Sequence, residues 1–263
     1  IKIVAEQKEL AAERKGLEQL LSSAVRLKTF IKSEIKADAE KFGDDRRTPL
    51  VIREEAKAFA HTELISTEPV TIVLSDRGWM RAAKGHEVDP ASLQYKSGDS
   101  FKIAARGKSN QLAIFMDSTG RAYSIPAHSL PSARGQGEPV SGKVNPPSGA
   151  TFEGVVIGED DKDVLLASDA GYGFVGKVGD LISKNKSGKV VLRAPKGGKV
   201  LASRMVNDYT KDLIVAITNE GRMLMFPIAE LPRLAKGKGN KIISIPTARV
   251  AERIEFVVAL TVL

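Results

Sequence analysis

Residues 75–79 read SDRGW, and the same outline returns as DSTGR at 117–121, SDAGY at 168–172 and TNEGR at 218–222. The glycines of these motifs, Gly78, Gly120, Gly171 and Gly221, are separated by 42, 51 and 50 residues. Six positions before each glycine stand Ile72, Ile114, Leu165 and Val215; four before stand Leu74, Met116, Ala167 and Ile217. Two before stand Asp76, Ser118, Asp169 and Asn219; three after, Arg81, Tyr123, Phe174 and Leu224; ten after, Val88, Leu130, Leu181 and Leu231. Apolar residues two apart share one face of a strand. A short polar side chain at the −2 position is expected to initiate a turn. Glycine at zero supplies the positive φ of a tight hairpin, read here as a type I turn followed by a bulge.

Each unit is therefore a hairpin plus a further strand, too small to bury a core alone. Repeats of ~40–50 residues with several strands each indicate a propeller-like array. A chain of independent small β barrels is the alternative. The shared array is preferred because every copy keeps its apolar positions and none looks self-sufficient. Repeats are placed near 70–109, 110–158, 163–206 and 212–247. The last run, IEFVVALTVL at 254–263, reads as the opening strand of a partial further unit over 248–263.

A second glycine follows each turn: Gly98, Gly137, Gly188 and Gly239, within YKSGDS, SARGQGE, KNKSGK and KGKGNK. A basic loop thus recurs once per unit, and in a circular array equivalent loops fall on a common rim. Lys96, Arg134, Lys184, Lys186, Lys189, Lys236, Lys238 and Lys241 are the candidate phosphate-binding residues. Glycine lets backbone N–H groups approach a phosphate, and the cations neutralise it and release counterions. The bland alternative is a set of solubilising loops.

Charge favours the first reading. Residues 1–69 hold 13 Lys+Arg and 13 Asp+Glu; residues 70–263 hold 27 and 19, and so carry all of the net +8. A one-sided basic balance points to a polyanionic partner. Cysteine is absent, which excludes disulfides, thiol nucleophiles and thiolate metal sites. No apolar run approaches the ~20 residues of a membrane span, and no signal peptide is expected. Residue 1 is Ile rather than Met, as expected of a piece of a longer protein.

Residues 1–43 are rich in Glu, Lys, Ala, Leu and Ile, with an apolar residue every seven at Ile3, Leu10, Leu17, Ala24 and Ile31. That stripe predicts a helical coiled-coil arm, with a break at Ser22-Ser23. Gly43 is expected to end it in a left-handed conformation, and Pro49 to prevent its resumption. Residues 44–69 read as a linker containing a short charged helix, Val51 to Phe59.

The segment FGDDRRT (42–48) after paired helices resembles the end of the coiled-coil tower in the A subunits of bacterial type IIA topoisomerases. The repeats resemble the β-pinwheel that follows that tower. The strings TEPVTIVLSDRGW (67–79), AAKGH (82–86), KSGDSF (96–101), GKSNQ (107–111), DSTGRAY (117–123), LPSARGQGEP (130–139), ASDAGYGFV (167–175), GRMLMFP (221–227) and KGKGNKI (236–242) place the resemblance in the topoisomerase IV branch rather than the gyrase branch. It runs from about residue 5 to about 247. It implies a mainly β fold, a propeller-like pinwheel of about five blades over 70–263, preceded by helices. It further implies double-stranded DNA, the topoisomerase IV B subunit and a second A subunit as partners, and a cytoplasmic, nucleoid-associated protein. The catalytic tyrosine, its arginine neighbour and the winged helix lie N-terminal to this segment in the family, and ATP and Mg2+ act through other regions and the B subunit. No catalytic residue, cofactor or metal is therefore assigned within 1–263, and Tyr95, Tyr123, Tyr172 and Tyr209 are given no chemistry. Gyrase A subunits carry a Gln-Arg-Arg-Gly-Gly-Lys-Gly loop that wraps DNA. SARGQGE and KGKGNK resemble decayed copies, which implies bending and substrate selection rather than stable wrapping.

Other candidates are weaker. His61, His86 and His128 lack ligand spacing; EDDKD (159–163) lacks the order of a calcium loop; KGGK (196–199) lacks the P-loop pattern. Trp79 is read as packing or a rim contact rather than a base-stacking platform. The competing function is a propeller-like protein-interaction module with no direct DNA role.

Overall fold

A computed structural model describes residues 2–44 and 67–263. The chain divides into two units, Ile1–Lys57 and Ala58–Leu263.

In the first unit, α1 (Lys2–Leu21) and α2 (Ala24–Phe42) meet at the expected break. Ser23 adopts extended backbone and its hydroxyl accepts a hydrogen bond from the Arg26 N–H at 3.4 Å, which caps α2. Ile3, Leu10, Leu17 and Ile31 are all exposed, so the apolar stripe faces solvent. α2 ends at Gly43 for a different reason from the one expected. Its φ is −70° rather than left-handed, and glycine is required because a Cβ would strike the Ala39 carbonyl that the Gly43 N–H bonds. The Pro49 turn, the Val51 to Phe59 helix and His61 lie outside the described residues.

In the second unit the strands run, in chain order, β1 (Pro69–Ser75), β2 (Trp79–Lys84), β3 (Phe101–Lys108), β4 (Leu112–Asp117), β5 (Arg121–Pro126), β6 (Glu138–Pro139), β7 (Phe152–Ile157), β8 (Asp163–Ser168), β9 (Tyr172–Lys177), β10 (Lys189–Val190), β11 (Arg204–Val206), β12 (Leu213–Thr218), β13 (Met223–Pro227), β14 (Asn240–Lys241) and β15 (Val257–Val262). They form four sheets, ordered β3-β1-β2-β6, β7-β4-β5-β10, β11-β8-β9-β14 and β15-β12-β13. Each repeat supplies a hairpin and a returning third strand. The fourth strand of a sheet comes from the next repeat: β6, β10 and β14 are two-residue pieces laid against β2, β5 and β9. The blades are thus stitched by strand exchange. β13 has no such partner among the described residues, and its Met223, Leu224 and Met225 are exposed.

The core lies between blades, as the size argument requires. In β4, Ile114 and Met116 pack towards the third blade, while Ala113 and Phe115 pack towards the first. In β8, Leu165 and Ala167 face the fourth blade and Val164 and Leu166 the second. The first strands are therefore apolar on both faces, and each sheet is covered by its neighbours.

The four turn glycines all have positive φ, between 75° and 80°, and each N–H closes the turn on the carbonyl of position −3. The turn is organised by −3, not by −2 as the sequence suggested. The Ser75 hydroxyl accepts from the Trp79 N–H, and an Asp117 carboxylate oxygen accepts from the N–H groups of Thr119 and Arg121. The −2 residue instead fastens the returning strand. The N–H groups of Asp76, Ser118, Asp169 and Asn219 donate to the carbonyls of Ser100, Thr151, Lys199 and Phe256. Their side chains bond back to those same four residues. The fourth staple corrects the reading of IEFVVALTVL: Phe256 and β15 return to β12 and complete the fourth sheet, rather than opening a further unit.

The +3 position is filled from beneath by the exchange. Tyr123 is fully buried, packs edge-on to Phe152 with ring centroids 5.8 Å apart, and donates its hydroxyl to Asp117 at 2.8 Å. Burial and that carboxylate push its pKa up. Phe174 is likewise buried, whereas Leu224, on the blade without a donated strand, is exposed.

The third strands lie side by side. A Cβ on Gly107 of β3 would meet Ile157 of β7 at 2.7 Å, and one on Gly154 of β7 would meet Ala202, just before β11, at 3.4 Å. Beside them Lys102 Nζ bonds Glu153 at 2.7 Å. Burial alone would raise the Glu153 carboxyl, but hydrogen bonds from Lys102 and Thr151 hold it below its ordinary value of 4.5. A depressed carboxyl contributes stability above the unfolded pKa, and that contribution is lost as pH falls through the folded value. Glu153→Gln is therefore expected to lower the melting temperature at pH 7, by a difference that shrinks at acid pH as the carboxyl is protonated through its depressed folded value. Thermal melts at neutral and acid pH check this; a constant difference would contradict it.

Candidate nucleic-acid interface

All eight candidate residues, Lys96, Arg134, Lys184, Lys186, Lys189, Lys236, Lys238 and Lys241, are exposed. The exchanged strands fix where they lie. Lys189 is in β10, opposite Ala122 of β5, and Lys241 is in β14, opposite Tyr172 of β9. Arg134 follows Ser132, which bridges in parallel to Ala82 of β2. The loops of the second, third and fourth repeats are thus seated on the outer strand of the preceding blade at equivalent points.

The second glycines belong to that seating. Gly137, Gly188 and Gly239 have φ of 87°, 68° and 78°. A Cβ on Gly188 would enter the Tyr123 ring, and one on Gly137 or Gly239 would meet the carbonyl of Met80 or Gly173. Close approach between backbones accounts for these glycines without any phosphate. Gly98 differs, since its neighbour is Arg77 of its own repeat.

The residue after each turn glycine forms the rest of the seat. Lys96 Nζ stands 3.5 Å from the centroid of the Trp79 ring, and Lys238 Nζ 3.7 Å from that of Tyr172. The quadrupole of an aromatic face attracts a cation, so both ammonium groups are held in place while keeping their charge. In the other two blades this position is arginine. Arg121 donates to the Ser187 carbonyl at 3.2 Å and Arg222 to the Ser244 carbonyl at 3.0 Å. Trp79 is therefore a rim contact, with a lysine on its face.

Adjacent loops are also joined to one another. The Asn145 N–H, in the loop of the second repeat, donates to the Lys186 carbonyl of the third at 2.8 Å. The Arg193 N–H of the third donates to the Gly237 carbonyl of the fourth at 2.8 Å, and the Gly237 N–H returns a bond to Val191. Lys143, Lys186, Arg193 and Lys238 are thus set along one hydrogen-bonded run of backbone. Sequence reading missed Lys143 and Arg193 because they lie outside the glycine-centred strings, although each is near the end of its loop. Lys96 reaches this run only through Trp79, which pairs with Pro139 of β6.

Among the described residues, none of the eight candidates takes part in an ion pair with a carboxylate. Several basic residues elsewhere are matched: Lys108 with Glu159 at 3.2 Å, Lys177 and Arg233 with Asp163 at 3.0 and 2.8 Å. Lys189 Nζ makes one neutral contact, to the Asp180 carbonyl at 2.8 Å.

A blade built from a glycine-turned hairpin, a returning strand and a strand lent by the next repeat defines a propeller-like C-terminal domain of the gyrase A type. The family model described as "DNA gyrase C-terminal domain, beta-propeller" matches residues 162–207 and 212–263. The DNA topoisomerase 4 A subunit of Pseudomonas aeruginosa is 57% identical over 263 residues, which is 100% of this chain and 35% of that protein. Its counterpart in Escherichia coli K12 is 51% identical over 251 residues, 95% of this chain and 33% of that protein. The solved C-terminal domain of E. coli ParC superposes with a TM-score of 0.67 at 52% identity, covering 74% of this chain and 80% of that one. The chain belongs to the family of DNA topoisomerase 4 A subunits and spans about a third of the length of the full-length relatives it matches.

Proposed function

We propose that residues 67–263 bind and bend duplex DNA along the basic rim. In doing so they bias which duplex a type IIA topoisomerase captures for strand passage, and hence decatenation, supercoil relaxation and chromosome segregation. The observation that carries this reading is the run of loops joined through Asn145–Lys186 and Arg193–Gly237, in which Lys143 pairs with Glu138 at 3.6 Å while Lys184, Lys186, Lys189, Lys236, Lys238 and Lys241 have no carboxylate partner among the described residues. A duplex that follows several blades must curve. Bending a ~20–30 bp site costs on the order of 1–6 kcal/mol, which several phosphate contacts acting together offset.

The helical arm, with its exposed Ile3, Leu10 and Leu17, fits a second A subunit. The B subunit joins through other parts of the complete protein. Among the described residues no group of three histidine, aspartate or glutamate side chains is placed to hold a metal ion. ATP and Mg2+ belong in this reading to other regions and to the B subunit. No helix among the described residues is long and apolar enough to cross a membrane, and the reading places the protein with the nucleoid in the cytoplasm.

Mobility-shift titration of a short duplex at about 50 and 200 mM salt tests the assignment. Binding by six or more phosphate contacts is expected to weaken by about three orders of magnitude or more over that range. Binding of DNA that is absent, or indifferent to salt, would remove it. The exposed edge of β13, with Met223 and Met225, favours protein binding instead, and association through it would persist at high salt.

A further inference from the structure

Each of the first three blades receives its fourth strand from the following repeat, and the segments that arrive are alike. They read GEPV (137–140), GKVV (188–191) and GNKI (239–242), a shared Gly-x-x-Val/Ile. The glycine has positive φ in all three. The apolar residue is covered: Val140 and Val191 are 0% exposed and Ile242 3%. Its N–H donates to the carbonyl of the turn glycine it meets, Gly78, Gly120 or Gly171, at 2.9, 2.9 and 2.8 Å.

The fourth blade carries the same seat with no occupant among the described residues. The Gly221 carbonyl accepts no such bond. A Cβ on Gly120 or Gly171 would meet the carbonyl of an arriving residue, Leu192 or Ile243, whereas one on Gly221 would meet nothing within 4 Å. Four residues after the turn glycine, the N–H groups of Ala82 and Val175 donate to the Pro131 and Pro232 carbonyls, and their own carbonyls accept from Ala133 and Leu234. Met225 holds that position in β13, and no loop among the described residues bonds it in this way. Three residues after the turn glycine, Arg81, Tyr123 and Phe174 are buried, but Leu224 is 43% exposed. An open edge of this kind is completed by adding a strand.

What fits there follows from the three filled seats. A Cβ on Gly188 would enter the Tyr123 ring, and one on Gly137 or Gly239 would strike the Met80 or Gly173 carbonyl, so the arriving strand needs glycine at that point. β13 contains no glycine, so two β13 edges do not satisfy one another. The three segments above are already seated on blades of their own chain, so a second copy has none of them free. We propose that β13 takes an extended Gly-x-x-Val/Ile segment from a different protein, as the antiparallel fourth strand of the last blade. The inference does not rest on the DNA reading, because no candidate rim residue lies on β13.

The test titrates the isotope-labelled 263-residue chain by NMR with a synthetic peptide, SKNKSGKVVLRA, the sequence of residues 183–194. That segment is the template of choice because the second and fourth blades both carry arginine after the turn glycine, Arg121 and Arg222. Salt at about 0.5 M suppresses ionic attachment of the basic peptide. Saturable binding with a Kd on the order of 100 μM is expected, with amide shifts centred on Gly221 to Phe226. The Gly188→Ala peptide should bind about tenfold more weakly or worse, because the left-handed backbone is lost. The Val191→Asp peptide should fail likewise, since it would bury a charge. In the protein, Met225→Pro removes the N–H that the added strand requires, and Leu224→Lys obstructs the place of its glycine; each should abolish the shifts. Leu224 is exposed, so circular dichroism should show its variant folded even if Met225→Pro is not. The proposal is overturned if the peptide does not saturate, if the shifts fall away from β13, or if the Gly188→Ala peptide binds equally well. It is also overturned if the chain dimerises as its concentration rises and Leu224→Lys prevents this, which makes a second copy the occupant.

Discussion

Replacing Lys184, Lys186, Lys236, Lys238 and Lys241 together by glutamine is expected to lower duplex affinity by about two to three orders of magnitude at ~0.1 M salt. The reason lies in where their charges go. Each of the five is exposed and has no carboxylate partner among the described residues, so each can neutralise a phosphate and release the counterion condensed on it. The slope of log affinity against log salt should become shallower by up to about four to five units, close to 0.9 for each phosphate no longer neutralised. Anisotropy titrations at several ionic strengths read both quantities. Lys108 and Lys177 provide the control, since Glu159 and Asp163 already neutralise them; glutamine there should leave the slope within about one unit of wild type. A five-site variant with the wild-type slope would show that the duplex does not lie on these loops. Melting temperature should change little, because surface substitutions away from caps and ion pairs stay within about 0.5 kcal/mol. Lys238 is the member most open to a small structural cost, through the Tyr172 ring beneath it.

The parts of this fold that were legible in the sequence are those set by local chemistry. Turn glycines at positive φ, paired apolar positions and a helix break at Ser22-Ser23 each follow from a few neighbouring residues. The role of the −2 residues was not legible, because Asp, Ser and Asn serve equally well to open a turn and to staple a strand that arrives 24 to 37 residues later in the chain. The last strand was misread for a related reason. First and third strands are both short and apolar, and only the pairing of β15 with β12 separates a strand that finishes a sheet from one that begins another. The candidate rim residues could be picked out because lysines cluster beside glycines at one register position. Their seating on Trp79 and Tyr172, and the bonds that join one loop to the next, depend on strand exchange between repeats. Nothing in a single repeat signals that exchange except the second glycine, whose value lies in close approach to another blade.

That role of close approach separates two kinds of glycine with nearly the same backbone. Gly120 and Gly221 have φ of 80° and 76° and both close a hairpin. Around Gly221 there is open space, so alanine there meets only the backbone penalty of a left-handed conformation, about 1–2 kcal/mol. At Gly120 an added Cβ would run into the Leu192 carbonyl, whose own chain is bonded to this turn, since the N–H groups of Val191 and Leu192 both donate to the Gly120 carbonyl at 2.9 and 3.1 Å. The third repeat's loop would have to lift from the second blade, pulling Lys189 and Val190 off β5 and uncovering Tyr123. Gly120→Ala is therefore expected to cost about 3–5 kcal/mol, adding weakened packing and broken backbone bonds to the same strain. Urea unfolding of the two variants measures the difference directly, and equal losses would mean that blades are not held together by exchanged strands. The two substitutions should also part in function. Gly221→Ala leaves every joint between basic loops in place, whereas Gly120→Ala displaces the stretch that carries Lys184, Lys186 and Arg193. Only the second should weaken the duplex under conditions where both proteins remain folded.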